Sequence, residues 1–359
     1  MSDISAVVLT IGEETTERAI DSLKNQTVPP EETIVIENVT PFHKALNLGA
    51  SRVKTEYFVQ VDADMVLDPN CLKDLRSCFR KDIGLVVGYL RDDVVGRISG
   101  IKMFRTKCFE SVQFKDSISP DTDFTKDLLK YGYKMRYASK FTGSDANVWH
   151  TFGEHKHACD PSYFFSKYLL EGIRYRYRKA VGGLVWRFKW LQRRGHDLSL
   201  ICQIALAHGI FLKDEKDLLE PFSADKDYNI LKDFAGSKGE YTLRKPDLSL
   251  FFIFKPETVF RKFYNLGVEL KKHGSFASFE YCMDGLSKSY DLFAWMAKIG
   301  LCQGLFSGHF DEERVKEEYG MLKEMLSKYN IFYIMAKKIL SIPMGLLPVR
   351  FHRPEKYKI

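Results

Sequence analysis

The first seventy residues alternate between apolar runs of strand length and stretches with helical spacing. "AVVLTI" (6–11) is a β-branched run that predicts a strand. "TTERAIDSLKNQT" (15–27) follows, with Ala19, Ile20 and Leu23 at helical spacing and Thr15 or Thr16 as N-cap. "VPPEE" breaks that helix, and "TIVIENV" (33–39) reads as a second strand. "HKALNLGASRV" (43–53) predicts a second helix and "EYFVQVDAD" (56–64) a third strand. Strand–helix–strand–helix–strand with short connections predicts an α/β layer around a parallel sheet, whose functional residues gather at the carboxyl ends of the strands. Further on, "IGLVVGYL" (83–90), "ISGIKMFRT" (98–106) and "YKMRYA" (133–138) read as strands, and "DFTKDLLKYG" (123–132) as a helix stopped by Gly132.

After about residue 160 the pattern becomes helical. This places an α/β domain at 1–160 and a mainly α-helical domain at 161–359. Two stretches of the second half resemble each other, "LICQIALAHGIFLKDEKDLLE" (200–220) and "AKIGLCQGLFSGHFDEERVKEE" (297–318). Either a helical unit is duplicated, or two helices share a similar end. Residues 221–280 are mixed, and the chain closes with the apolar "YIMAKKILSIPMGLLPV" and a basic tail.

Composition narrows the class. With 359 residues, 45% of them apolar, the chain is globular and large enough for two domains. The opening residues lack the basic and apolar regions of a signal peptide, and no apolar run is long enough to span a bilayer. Seven cysteines without a CxxC pair suit free thiols in a reducing compartment, so a cytoplasmic location is expected. A net charge of +7 permits an anionic partner and proves none. The segment 162–194 concentrates nine Lys or Arg, one acid (Glu171) and nine aromatics. It reads either as a helix pair with an aromatic core and a solvated basic face, or as a membrane-surface element that lays Trp186, Phe188 and Trp190 into the interface. Nothing else in the chain supports nucleic-acid binding.

The chemistry centres on "VQVDADMVLD" (59–68), where Asp62 and Asp64 stand one residue apart at a predicted strand end. A hard divalent cation takes one or two carboxylates together with substrate phosphates, and this spacing supplies them. The plain alternative is a solvated strand end. A third reading follows the apolar-strand DxDxV pattern of haloacid-dehalogenase-type phosphatases, with Asp62 as nucleophile.

The flanking sequence favours the first reading. "AVVLTIGEETTERAIDSLKNQTVPPEETIVIENV" and "KALNLGASRVKTEYFVQVDADMVLDPNCL" resemble the opening of the family 2-type glycosyltransferases with a GT-A fold, and "SPDTDFTKDLLKYGYKM" resembles their acidic block. The resemblance is nearly continuous over 5–75 and returns near 119–138. It implies a Rossmann-like mixed sheet, a nucleotide-sugar donor that is UDP-linked on family frequency, Mn²⁺ or Mg²⁺ as cofactor, and a glycan or lipid-linked acceptor hydroxyl. It places Thr10, Glu37, Lys44 and Asn47 around the nucleotide, with Glu37 where the family more often has Asp and Leu46 where it often has Arg. The resemblance implies that Asp62 faces ribose and metal and that Asp64 is a direct metal ligand. It implies that Asp121 is the general base, with Asp123 as runner-up; both also suit a helix N-terminus.

In "NVWHTFGEHKHAC" (147–159) the resemblance makes His150 the third metal ligand and brings His155 and His157 to the diphosphate. A zinc cluster of His150, His155, His157 and Cys159 competes, but the spacing fits no common zinc pattern, and a third reading is surface histidines without a role. A membrane contact would suit a lipid-linked acceptor, and the expected pathway is polysaccharide or glycoconjugate synthesis. The non-enzymatic alternative is an inactive GT-A domain that binds a partner.

Overall fold

The computed structural model describes residues 2–92, 94, 96–138, 151–156, 160–178, 180–194, 198–212, 223–239, 256–287 and 292–327. These fall into two compact units, with the boundary between Lys156 and Asp160.

The first unit opens as the periodicity predicts: β1 (Ile4–Thr10), α1 (Thr16–Lys24), β2 (Glu32–Glu37), α2 (Phe42–Arg52) and β3 (Tyr57–Asp62). β1 lies between β2 and β3, parallel to both. After β4 (Met65–Leu67) and α3 (Cys71–Ser77) come β5 (Ile83–Asp92) and β6 (Gly96–Arg105), then α4 (Pro120–Lys130), β7 (Lys134–Tyr137) and β8 (Gly153–His155). The strand order is β2-β1-β3-β6-β5-β8-β4, with β7 also on β5. This is the mixed α/β sheet expected of the GT-A class, and a helical region follows it. α4 starts at Pro120, three residues before the expected Asp123, because proline at the first helical position loses no hydrogen bond.

Two apolar layers cover the sheet. Val8, Val61 and Met103 pack with Leu23 and Leu75 on one face. Val7, Phe58 and Phe104 pack with Leu46 and Phe124 on the other. Alternation along β3 and β6 therefore puts Gln60 and Lys102 on the second face, under α2 and α4.

The second unit is helical: α5 (Pro161–Tyr177), α6 (Val181–Arg194), α7 (Ser199–Gly209), α8 (Ser223–Ala235), α9 (Pro256–Lys272), α10 (Phe276–Ser287), α11 (Leu292–Phe306) and α12 (Glu312–Ser327). It is built twice, and the repeat is far longer than the pair of stretches legible in the sequence. A shift of 95 residues carries Pro161 onto Pro256, Phe165 onto Phe260, Gly172 onto Gly267, Gly209 onto Gly304 and Phe211 onto Phe306. The last helix of each copy is related by a shift of 91, Asp227-Tyr228 onto Glu318-Tyr319 and Leu231-Lys232 onto Leu322-Lys323.

The contacts repeat as well. Gly172 meets Gly209 where α5 crosses α7, and Gly267 meets Gly304 where α9 crosses α11. Phe165 lies 5.7 Å from Tyr228, and Phe260 lies 6.0 Å from Tyr319. The copies also exchange equivalent contacts, Phe165 with Phe306 at 6.2 Å and Phe260 with Phe211 at 6.0 Å. Such reciprocity is the mark of a two-fold, self-complementary interface, here within one chain. Between the copies, His208 Nδ1 lies 2.8 Å from Gln303 Oε1 while its Nε2 faces Asp227 at 3.0 Å; Gln303 Nε2 donates to Glu318 at 2.8 Å.

Two stability predictions arise here. A methyl at Gly209 or Gly304 would run into the carbonyl of Leu169 or Tyr264. Gly209→Ala and Gly304→Ala should each cost about 1–3 kcal/mol by overpacking, read as a lower melting temperature. Lys298, which occupies the place of Gln203 in the other copy, is only 3% exposed, and burial pulls its ammonium down to about 8. A lysine whose folded value lies below its unfolded value destabilises the fold at neutral pH, and stability is regained as pH rises from about 8 through the unfolded lysine value near 10.4. Lys298→Met should therefore raise the melting temperature at pH 7 and remove that alkaline gain.

The basic aromatic segment forms α5 and α6, and the aromatic side chains Phe164, Phe165, Tyr168 and Phe188 are core. Phe188 is thus not an exposed membrane contact; the Trp186 side chain lies outside the described residues. No helix among the described residues is long and apolar enough to cross a membrane. The apolar stretch at 333–349 and the basic tail also lie outside them.

Candidate active site

The carboxyl ends of β1, β2 and β3 form one edge. Thr10 and Glu37 are register partners there, and Asp62 is the partner of Leu9. The Thr10 hydroxyl donates to Glu13 Oε2 at 2.6 Å and accepts from the Gly12 amide at 3.0 Å, which shapes the turn into α1. Glu37 is exposed at the end of β2, and Lys44 is exposed in the first turn of α2. The Asn47 amide is committed elsewhere: it donates to the Phe114 carbonyl at 2.8 Å and accepts from the Phe114 amide at 3.0 Å. Its visible work is to pin the segment that leads to α4.

Asp62 is the last residue of β3, and Asp64 sits in the turn before β4. The Asp62 carboxyl is pushed above the usual carboxylate range, chiefly by lost hydration, with the neighbouring Asp64 adding to the rise. Gln60 Nε2, which donates to Asp62 Oδ1 at 2.9 Å, and the charge of Lys102 oppose it. A cation at this edge would relieve two crowded carboxylates.

Among the described residues, the histidine at this edge is His155. The β4–β8 ladder pairs Met65 with His155, and β8 also runs beside β5, where His155 is the partner of Asp92. His155 Nε2 lies 3.1 Å from Asp64 Oδ2, and Nδ1 lies 3.0 Å from Asp92 Oδ2. Asp92 is 2% exposed at its side chain, and its other oxygen accepts from the Val94 amide at 2.9 Å. His150 and His157 lie outside the described residues, as does Cys159 of the zinc alternative. Sequence reading missed Asp92, because its value comes from a neighbour 63 residues away.

Asp64 and His155 fit a divalent cation. Two ligands each about 2.1 Å from an octahedral hard ion stand about 3 Å apart, the separation found here between Nε2 and Oδ2. With Nε2 as the ligand, Nδ1–H donates to Asp92 Oδ2, which holds the ring with Nε2 toward Asp64, as carboxylates behind metal-binding histidines do. Among the described residues no group of three or more His, Cys, Asp or Glu side chains is arranged to hold a metal alone. A two-ligand protein site completed by phosphate oxygens and water is the usual arrangement for Mg²⁺ and Mn²⁺. Asp92→Asn should lower Mn²⁺ affinity about 10–100-fold in calorimetry while the fold is kept.

Asp121 and Asp123 occupy the first turn of α4. Asp123 pairs with Lys126 on the same helix at 3.1 Å. Asp121 instead pairs across the fold with Lys102 of β6 at 3.0 Å. Lys102 is the register partner of Gln60, whose amide holds Asp62, so the sheet floor connects the acid of α4 to the acid of β3.

No protein-family model matches the chain, and no curated protein matches it. Among solved structures it is similar to glucosyl-3-phosphoglycerate synthase from Mycobacterium tuberculosis, in complex with Mn²⁺, uridine diphosphate and phosphoglyceric acid, at 15% identity over 43% of this chain and 71% of that one, with a TM-score of 0.34. It is also similar to the mannosyltransferase PcManGT from Pyrobaculum calidifontis, in complex with GDP-Man and Mn²⁺, at 13% identity over 71% and 81% of the two chains and a TM-score of 0.39. Neither likeness identifies a donor or an acceptor for this chain.

Proposed function

We propose that the first unit is a metal-assisted glycosyltransferase that moves a sugar from a nucleoside diphosphate to a hydroxyl group. The observation that carries this reading is the Asp64–His155 pair, set at the carboxyl edge of a β-α-β-α-β unit and oriented by Asp92. The motif resemblance over 5–75 and 119–138 supports it independently.

In this reading Thr10, Glu37 and Lys44 line the nucleotide end of the edge, and Asp62 faces ribose and diphosphate. Asp64 and His155 would hold Mn²⁺ or Mg²⁺, which would supply positive charge for the leaving diphosphate. Asp121 accepts the proton of the acceptor hydroxyl at a carboxylate oxygen. The acceptor oxygen bonds to the anomeric carbon as the bond from that carbon to the diphosphate breaks, and the nucleoside diphosphate departs with the electron pair. One base and direct displacement invert the anomeric centre. A uridine donor and a glycan or lipid-linked acceptor, with peripheral membrane contact in the lipid case, complete the proposal.

The test is a hydrolysis screen of nucleotide sugars with Mn²⁺ and with Mg²⁺, in which water replaces the unknown acceptor. Turnover of one donor class that stops in EDTA is expected. Trapping an aspartyl-phosphate on Asp62 with a phosphoryl substrate would replace this reading with a phosphatase. Failure of Mn²⁺ and every nucleoside diphosphate to bind would leave a non-enzymatic domain.

A further inference from the structure

Lys102 is an ammonium in the middle of an apolar strand, between Ile101 and Met103, both fully buried. Its neighbours across the ladder are Gln60 on β3 and Val87 on β5. Burying a lysine there is costly unless the charge finds a partner. The partner is Asp121 of α4, with Nζ 3.0 Å from Oδ2. The two ends differ: the Lys102 side chain is 14% exposed, whereas Asp121 is 51% exposed. The lysine is held by the sheet, and the carboxylate reaches into solvent from the first turn of its helix.

A pair half open to water contributes little to stability. A methionine would fill the same strand position without a charge to bury. Stability is therefore a poor account of Lys102. Its location offers a better one. Gln60, directly across the ladder, is 1% exposed and gives its amide hydrogen to Asp62, and its Oε1 is buried without a hydrogen-bond partner. The charge of Lys102 also acts on Asp62. One lysine thus stands between the acid proposed as base and the acid proposed for the donor, with an unused carbonyl beside it.

We infer that Lys102 is a positioning residue for the transfer reaction: it fixes Asp121 above the sheet beside Gln60, whose amide holds Asp62, and Gln60 Oε1 is the alternative acceptor to which its ammonium turns when Asp121 takes up the acceptor proton. A base locked to an ammonium is a weak base, so the pair must loosen as the proton arrives, and a buried carbonyl one strand away lets it loosen without stranding the charge. This inference rests on the glycosyltransferase reading, because it presupposes that Asp121 is the base.

The experiment compares wild type with Lys102→Met, Lys102→Arg, Asp121→Asn and the Lys102→Met/Asp121→Asn pair in Mn²⁺-dependent donor hydrolysis. Lys102→Met should lower kcat about tenfold or more while the donor KM stays within about twofold, because the direct partner of the lysine is the base and its effect on Asp62 is through charge at a distance. Lys102→Arg should recover much of kcat. Adding Lys102→Met to Asp121→Asn should cost far less than it costs the wild type, since the ion pair it removes is already gone. A full kcat in Lys102→Met, or losses that multiply in the double variant, overturns the inference and leaves the glycosyltransferase reading standing. Should Lys102→Met melt early, the Lys102→Arg variant and the Asp121→Asn background carry the comparison. A wild type that turns over none of the donors removes the reaction itself, and the role of Lys102 in it falls too.

Discussion

Asp64→Ala is expected to abolish Mn²⁺-dependent turnover of the donor, by about a thousandfold or more, and to remove the calorimetric signal for Mn²⁺ binding. The magnitude follows from the several kcal/mol that a Lewis-acidic cation contributes to a departing diphosphate. Asp64 and His155 form one pair, 3.1 Å apart, so His155→Ala should have the same consequence for binding. The two losses should not multiply when combined, because the second substitution removes a ligand from a site already empty. Retention of full activity in EDTA by Asp64→Ala would end the metal reading. The effect should be specific: Asp64 lies in a turn and is partly exposed, so the alanine leaves the sheet beneath it intact.

Asp121→Asn is the second large effect. General-base removal typically costs about 10²–10⁴ in rate, and asparagine keeps the shape while losing the ability to take a proton. Transfer should fall by that factor while binding of the nucleoside diphosphate, measured with Mn²⁺, is unchanged. Asp123→Asn is the matched control. Asp123 is already paired with Lys126 on its own helix and is expected to lose less than about 1 kcal/mol of stability and little activity. An Asp123→Asn variant as inactive as Asp121→Asn would move the base by two residues along α4.

Much of the first unit was legible because its information is local. β-branched runs, a helix with Ala19 and Leu23 on one side, and a Pro-containing break are each written within a dozen residues. The position of Asp62 and Asp64 at a strand end follows from the same periodicity. Lys102 and Gln60 were also visible in principle, as single polar residues in "GIKMF" and "FVQVD", but a lone polar residue in a strand does not say what it faces. The helix that carries Asp121 was readable with a late start, since Pro120 looks like a breaker until the chain is seen to enter the helix there.

The remainder depends on pairing between distant segments. β6 runs antiparallel between β3 and β5, and that insertion alone sets Lys102 opposite Gln60. β8, three residues long, lies against both β4 and β5 and so delivers His155 to Asp64 and Asp92 together. Asn47, which the motif assigns to the nucleotide, has both ends of its amide on the Phe114 backbone. The doubling of the helical unit showed in the sequence only as one pair of similar stretches, because few positions repeat. It emerges where glycines must let two backbones meet, at Gly172 with Gly209 and at Gly267 with Gly304.

Residue spacing by itself determined the order of strands and helices in the first seventy residues and the placement of two carboxylates at a strand end, because hydrophobic period and turn chemistry act over a few residues. Only the tertiary structure decided that His155 lies beside Asp64, that Asp92 stands behind it, and that Lys102 joins Asp121 to the strand that faces Gln60. Those relations are set by sheet register, and register is chosen by the burial of whole faces, a property that no short stretch of sequence contains.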